Sequence, residues 1–289
     1  MNDRTLVLAC TAFLLAACSS SAPPPPASDR GTPAAPVASP VASPADRAQT
    51  TPAVATPAAP VPTGVIGSEG IAAFDALDPA QIAALAKRRV FWGHQSVGAN
   101  VLEGARALGF DFAEVSRGSD YARVAWGEAG VEENGDPERK IASFGAYLED
   151  QGIGRRVEAA GFKFCWIDFE EDTDVADLLG DYEEKMGELA RSHPRVRFLH
   201  VTPPLTTDEP EKNLVRWRYG REMIRRFANR GVVLDLASVI STGADGRACE
   251  SRRARRLCPA WSSDNGHLND EGSRRAAKAF LYAFFRLLS

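Results

Sequence analysis

The sequence predicts an α/β fold, a three-layer α/β/α sandwich around a mostly parallel five-stranded sheet. Three observations carry that expectation. Beyond residue 89, short apolar runs alternate with segments of helical periodicity, the rhythm that βα units require. Every tryptophan and tyrosine, and all phenylalanines but Phe13, lie after residue 65, so about 225 residues carry a core fit for one large domain. The third is a contrast: 12 of the 19 prolines lie between Pro23 and Pro62, in a stretch almost entirely of Pro, Ala, Ser, Thr and Val without an aromatic residue. Such a segment buries too little apolar surface to offset the entropy of ordering itself. The chain therefore divides into residues 1–17, a tether over 18–65, and a folded domain over 66–289.

Within the domain, 79–87 reads as a helix and 89–92 as a short buried strand. Apolar spacing over 97–108 suits a second helix, and 110–115 a second strand. The polar, Gly-rich stretch 116–137 is too long for a simple connection and reads as a substrate loop. A helix over 138–150 and a strand over 162–169 follow. The second half repeats the pattern, with helices over 175–191 and 211–229, strands over 196–202 and 232–236, and a closing helix over 269–288. In parallel sheets of this kind ligands bind beyond the carboxyl ends of the strands.

The net charge of −4 gives no sign of a nucleic-acid partner. The basic runs 216–230 and 252–256 read as a solvated helix face and an exposed loop. At the N-terminus, Arg4 precedes an apolar core over 6–17, too short to cross a bilayer of about 30 Å as a helix. It ends in Leu15-Ala16-Ala17-Cys18, which resembles the lipobox of bacterial lipoproteins. That resemblance implies a removed signal over 1–17 and lipidation of Cys18. With Ser19 following, it also implies export to the outer membrane, facing the periplasm, with acyl chains as the only membrane contact.

Cys165, Cys249 and Cys258 then remain in the domain. Cys249 and Cys258 flank an Arg-rich loop and can close it as a disulfide in an oxidising compartment. Cys165 lies in an apolar run and reads as a small buried hydrophobe. The spacing of the three predicts no metal site.

Two clusters can carry chemistry. Gly93-His94-Gln95-Ser96-Val97-Gly98 joins the first strand to its helix, where free backbone N–H groups favour a developing negative charge. Ser96 here is either a helix cap or a nucleophile. The first glycine stands three residues before Ser96, unlike the Gly-x-Ser-x-Gly turn of α/β-hydrolases. Ser263-Asp264-Asn265-Gly266-His267-Leu268-Asn269 precedes the last helix. A carboxylate three residues before an imidazole can fix its tautomer and aim the other ring nitrogen at a hydroxyl. The alternatives are a structural His267 and a plain helix start at Asn269.

An early Ser after the first strand and a late Asp-x-x-His before the final helix resemble the SGNH, or GDSL-type, hydrolases over about residues 89–289. The resemblance implies Ser96 as nucleophile, His267 as general base, Asp264 as its orienting partner, and no cofactor. It also implies an oxyanion glycine after the second strand, for which Gly118 is the nearest candidate, and an asparagine after the third. The third strand instead runs into Trp166-Ile167-Asp168-Phe169-Glu170, and an ionised Asp168 repels an oxyanion. Asn134, in Asn134-Gly135-Asp136-Pro137, is a substitute donor or simply a turn residue. His94 is a further candidate to touch substrate or the oxyanion. His200 ends a strand on the same rim, and Asp168, Glu170, Glu171, Asp172 and Asp174 read as a solvated acidic rim.

The expected activity is hydrolysis of an O-acyl ester, in the simplest case O-acetyl, on an envelope polysaccharide or a small substrate. One alternative is a non-catalytic envelope-binding lipoprotein that keeps the fold. Another is a metal-dependent hydrolase built on His94, Asp264 and His267.

Overall fold

The computed structural model describes residues 62–289, so the expected signal over 1–17, Cys18 and the proline-rich stretch up to residue 61 lie outside the described residues. The domain begins earlier than its expected boundary, with strand β1 at Gly64–Ile66 and helices α1 Glu69–Asp75 and α2 Pro79–Ala86. Helix α2 starts as its sequence dictates. Asp78 accepts from the Gln81 N–H at 2.8 Å while Gln81 returns the bond to the Asp78 N–H.

Strand β2 (Val90–His94) and helix α3 (Val97–Ala107) follow, then β3 (Phe112–Glu114), β4 (Trp126–Gly130) and α4 (Pro137–Leu148). After them come β5 (Ala159–Phe162), α5 (Val175–Ser192), β6 (Arg197–Val201), α6 (Pro210–Phe227), β7 (Val232–Leu234) and α7 (Leu236–Ile240). A two-stranded hairpin, β8 (Glu250–Ser251) and β9 (Ala254–Arg255), precedes α8 (Asp270–Leu288).

The main sheet has seven strands in the order β1-β7-β6-β5-β2-β4-β3, all parallel. The two strands beyond the expected five are β1 and β4. Strand β4 lies inside the 116–137 stretch that reads as a substrate loop, and it was hidden by its composition, Trp-Gly-Glu-Ala-Gly. All of those residues but Trp126 are poor strand formers, a preference that tertiary contacts override. Gly127 is required because a Cβ there would stand 2.3 Å from the Tyr121 hydroxyl, which itself donates to the Val90 carbonyl at 2.8 Å. Strand β5 is shorter and earlier than the expected 162–169: the chain leaves the sheet after Phe162 and makes a short 3-10 turn over Trp166–Asp168.

Alternation along β2 divides the core. Val90 and Trp92 face α1, α3 and α8, whereas Phe91 packs with Phe144 of α4 and the apolar faces of α5 and α6. Trp92 meets Phe280 of α8 edge-on at 4.8 Å, and Trp126 meets Phe284 in the same way at 5.3 Å. Both faces are covered, and every residue of β2 is buried.

The basic run 216–230 keeps Arg218, Arg221, Arg225 and Arg230 on the expected solvated face, and only Arg216 departs from it. Arg216 is fully buried on the same inward side as Val215, Tyr219 and Met223. Its guanidinium donates to Trp166 O at 2.9 Å, Thr206 Oγ1 at 3.1 Å, Asn213 Oδ1 at 2.8 Å and Glu209 at 2.9 Å. A buried guanidinium needs that many acceptors. His200 also departs from its expected place on the rim. It sits within β6, stacked on Phe227 and bonded through Nδ1 to the Tyr182 hydroxyl at 2.9 Å, and burial pushes its pKa down to about 3.

Candidate active site

Strand β2 delivers Ser96 to the carboxyl edge of the sheet at its centre, between β4 and β5. The residue has φ 51° and ψ −115°, a conformation that L side chains rarely adopt and that costs about 1–3 kcal/mol. It occupies the position before the first residue of α3, yet its side chain makes no capping bond. Its Oγ instead lies 2.7 Å from Nε2 of His267. The helix-cap reading of Ser96 therefore does not describe this geometry.

His267 comes from the loop ahead of α8, which several bonds hold in place. Asn269 caps α8 through Gly272 N–H at 2.9 Å and donates to Ala260 O at 2.9 Å. Leu268 N–H donates to Asn100 Oδ1 of α3 at 3.2 Å, and Thr207 N–H to Asn265 O at 2.9 Å. Gly266 is flat against the Trp166 indole, where a Cβ would stand 2.5 Å from Nε1. That indole N–H is buried without a partner.

Asp264 Oδ2 is 2.8 Å from His267 Nδ1, and its Oδ1 accepts from the N–H groups of Gly266 at 2.8 Å and His267 at 2.7 Å. The backbone N–H of His267, then that of Gly266, then the imidazole bond bring its carboxyl down to about 2. A carboxylate is acceptor-only, so Nδ1 carries the proton and Nε2 presents its lone pair to Ser96. The two side chains are open to solvent, 41% exposed for His267 and 57% for Asp264. A shallow groove of about 300 Å³, lined by Thr207, Asp208, Arg256 and Ser262 among others, runs up to Asp264 and Asn265.

The other expected site residues are not gathered here. Gly118 belongs to a 3-10 turn after edge strand β3, and its N–H already donates to Gln151 O at 2.8 Å, so it is not free to bind an oxyanion. It is a glycine because a Cβ would stand 2.5 Å from Gly152 O. Gly130, at the end of β4, pairs with His94 and lies under the Gln95 side chain; it is the glycine beside the nucleophile's strand.

Asn134 Oδ1 accepts from Lys140 Nζ at 2.7 Å and shares that ammonium with Asp168. Asp168 is buried, not part of a solvated rim. Its carboxylate takes Lys140 Nζ at 2.7 and 2.8 Å, Gly135 N–H at 2.7 Å and Cys165 N–H at 2.6 Å, joining the loops after β4 and β5. His94 Nε2 is 2.9 Å from Glu128 Oε2. That bond, ahead of the Arg106 guanidinium, holds the Glu128 carboxyl below its ordinary range. His94 makes no hydrogen bond to Ser96 or His267 among the described residues.

Backbone donors at the start of α3 complete the surroundings. The Gly98 and Ala99 N–H groups close turns onto Gln95 O and Ser96 O. Those of Ser96 and Val97 have no acceptor among the described residues. Among those residues no group of three His, Cys, Asp or Glu side chains is placed to hold a metal ion. The structure joins Cys249 and Cys258 in a disulfide, and Cys165 is free and buried.

No family model matches the chain, and no curated protein does. Among solved structures, it is similar to a Streptococcus pneumonia protein named for platelet activating factor, at 13% identity and a TM-score of 0.45, over 74% of this chain and 91% of that one. An acetylxylan esterase from Geobacillus stearothermophilus is 16% identical with a TM-score of 0.39, over 68% and 94% of the two chains. A lipase/acylhydrolase from Enterococcus faecalis is 16% identical with a TM-score of 0.39, over 67% and 93%.

Proposed function

We propose that the protein is a serine hydrolase of O-acyl esters, with Ser96 as nucleophile, His267 as general base and Asp264 orienting it. The single observation that carries this reading is the 2.7 Å approach of Ser96 Oγ to His267 Nε2, made by a serine in a costly backbone conformation with no capping role. Ser96 Oγ bonds to the ester carbonyl carbon as His267 takes its proton, and the free N–H groups of Ser96 and Val97 lie at the same helix start. The tetrahedral adduct collapses with cleavage of the C–O bond, and His267 returns the proton to the departing alcohol. Water, deprotonated by the same imidazole, then releases the acid and restores Ser96.

Ser96→Ala is expected to abolish both turnover of p-nitrophenyl acetate and labelling by a fluorophosphonate, with unchanged circular dichroism. Labelling that persists in Ser96→Ala sinks the proposal. A wild-type protein that takes no label favours a non-catalytic binding module.

The substrate class follows from the proposed location. The lipobox-like Leu15-Ala16-Ala17-Cys18 and Ser19 support a protein anchored by acyl chains at Cys18 in the outer membrane and facing the periplasm. The Cys249–Cys258 disulfide fits an oxidising compartment. An O-acetylated envelope polysaccharide is then the ester within reach, and the open, solvent-exposed His267–Asp264 edge suits an acyl group borne on a long chain. Cells grown with a labelled fatty acid are expected to tag the wild-type protein and not Cys18→Ala; equal tagging of both rules out the anchor.

A further inference from the structure

Two lysines are fully buried in this domain, and they are treated differently. Lys140 has a carboxylate partner, Asp168, at 2.7 Å. Lys163 has none: its Nζ donates to the Phe164 carbonyl at 3.2 Å, and no carboxylate lies within ion-pair distance among the described residues. A buried ammonium without a counter-charge is costly, and an apolar residue of similar length is ordinarily the more stable choice.

Lys163 is the first residue past β5, and its N–H donates at 3.3 Å to Gly93 O on the nucleophile's own strand. Phe162 faces the α4 and α5 side of the sheet, so alternation turns Lys163 to the α3 side. There its Cε stands 3.1 Å from where a Cβ on Gly98 would be, a point 2.4 Å from the Cβ of His94. Gly98 is two residues after Ser96. The lysine chain therefore runs beneath the first turn of α3, the turn that presents the free N–H groups of Ser96 and Val97.

We propose that Lys163 is an electrostatic positioning residue for the acyl-transfer reaction, a buried cation whose field favours the oxyanion formed at Ser96. The inference rests on the hydrolase reading above. The counter-charge missing from the resting protein is, on this view, the negative charge that develops in the transition state. A field fixed before reaction and shielded from water acts more strongly than the same charge in solvent.

The groups that face Lys163 set the pH at which it acts. Burial is the largest influence and lowers its pKa to about 8. Cys165 and Asp168 in the loop after β5 oppose that fall, Lys140 of α4 adds to it, and His94 ends the neighbouring strand β2. The first turn of α3, residues 97–100, contributes no titratable group. The ammonium is thus present below about pH 8 and lost above it.

The test is the second-order rate of fluorophosphonate labelling of the whole protein between pH 6 and pH 10, a reaction in which Ser96 Oγ bonds to phosphorus, fluoride leaves and His267 takes the proton. Wild type is expected to slow as pH rises through about 8. Lys163→Met, similar in length and uncharged, is expected to label about 10²-fold more slowly at pH 7 and to lose that alkaline limb while keeping the wild-type melting temperature or exceeding it. Equal rates and equal pH profiles for the two proteins overturn the role of Lys163, and so does a wild-type rate that stays level to pH 10, whatever the variant's folding. Wild type that shows no Ser96-dependent labelling overturns the hydrolase reading itself, and Lys163's role with it.

Discussion

His267→Ala is expected to lower kcat on a small acyl ester by about 10⁴-fold or more, with KM little changed. Without Nε2 at 2.7 Å, the Ser96 hydroxyl keeps its proton and attacks as a neutral alcohol. The fold should not notice the loss, since the side chain is 41% exposed, and a change within about 0.5 kcal/mol is expected from chemical unfolding. Asp264→Asn separates orientation from simple deletion. The new side chain keeps an oxygen for the Gly266 and His267 N–H groups, so the turn survives. Its amide then donates to Nδ1, and the imidazole proton moves to Nε2, where no lone pair is left for Ser96. A fall of about 10⁴-fold follows from that wrong tautomer. Steady-state kinetics on the two variants check both figures, and full activity in Asp264→Asn rules out the orienting role. Because the carboxyl of Asp264 is depressed to about 2, the stability it contributes is present above its ordinary value of 3.8 and lost only as pH falls through about 2. Any loss of activity above pH 4 therefore has another origin.

The largest stability effect is expected at Asp168. Asp168→Ala leaves the Lys140 ammonium buried without its counter-charge, held only by Asn134 Oδ1, and also strands the N–H groups of Gly135 and Cys165. Breaking a buried pair from one side costs about 3–5 kcal/mol, a large part of a domain's stability. Replacing both partners, as in Lys140→Met with Asp168→Leu, removes the charges together and is expected to recover most of that loss. Urea unfolding measures each, and a single variant with an unshifted midpoint contradicts the account. Activity should fall with Asp168→Ala as well, because the pair fastens the two loops that flank Ser96 on either side.

Much of this architecture was legible in the sequence because it is written in periodicity. The helices at 97–107, 175–192 and 270–288 have broad apolar faces, and β2, β6 and β7 are compact apolar runs. Strand β4 was not legible, since two glycines and a glutamate conceal an interior strand whose side-chain space is filled by Tyr121 and Gln95 from elsewhere. With β4 concealed, Gly118 after edge strand β3 is the nearest glycine in the sequence, and its N–H is already bonded to Gln151 O. Ser96, Asp264 and His267 were legible as short local patterns, although 171 residues separate Ser96 from His267. Arg216 and Lys163 were not: an arginine within a basic run and a lysine after an apolar strand look solvated until the packing around them is known.

The edge strand β1 gives the domain a direction. All seven strands run the same way, so the chain comes into the fold at the pole opposite the one where Ser96 and the His267 loop stand. Thr63 and Gly64 therefore stand at the base of the domain, away from Ser96 and His267. Ser289 stands at that same base, where its carbonyl and that of Leu287 accept from Arg197 at the start of β6.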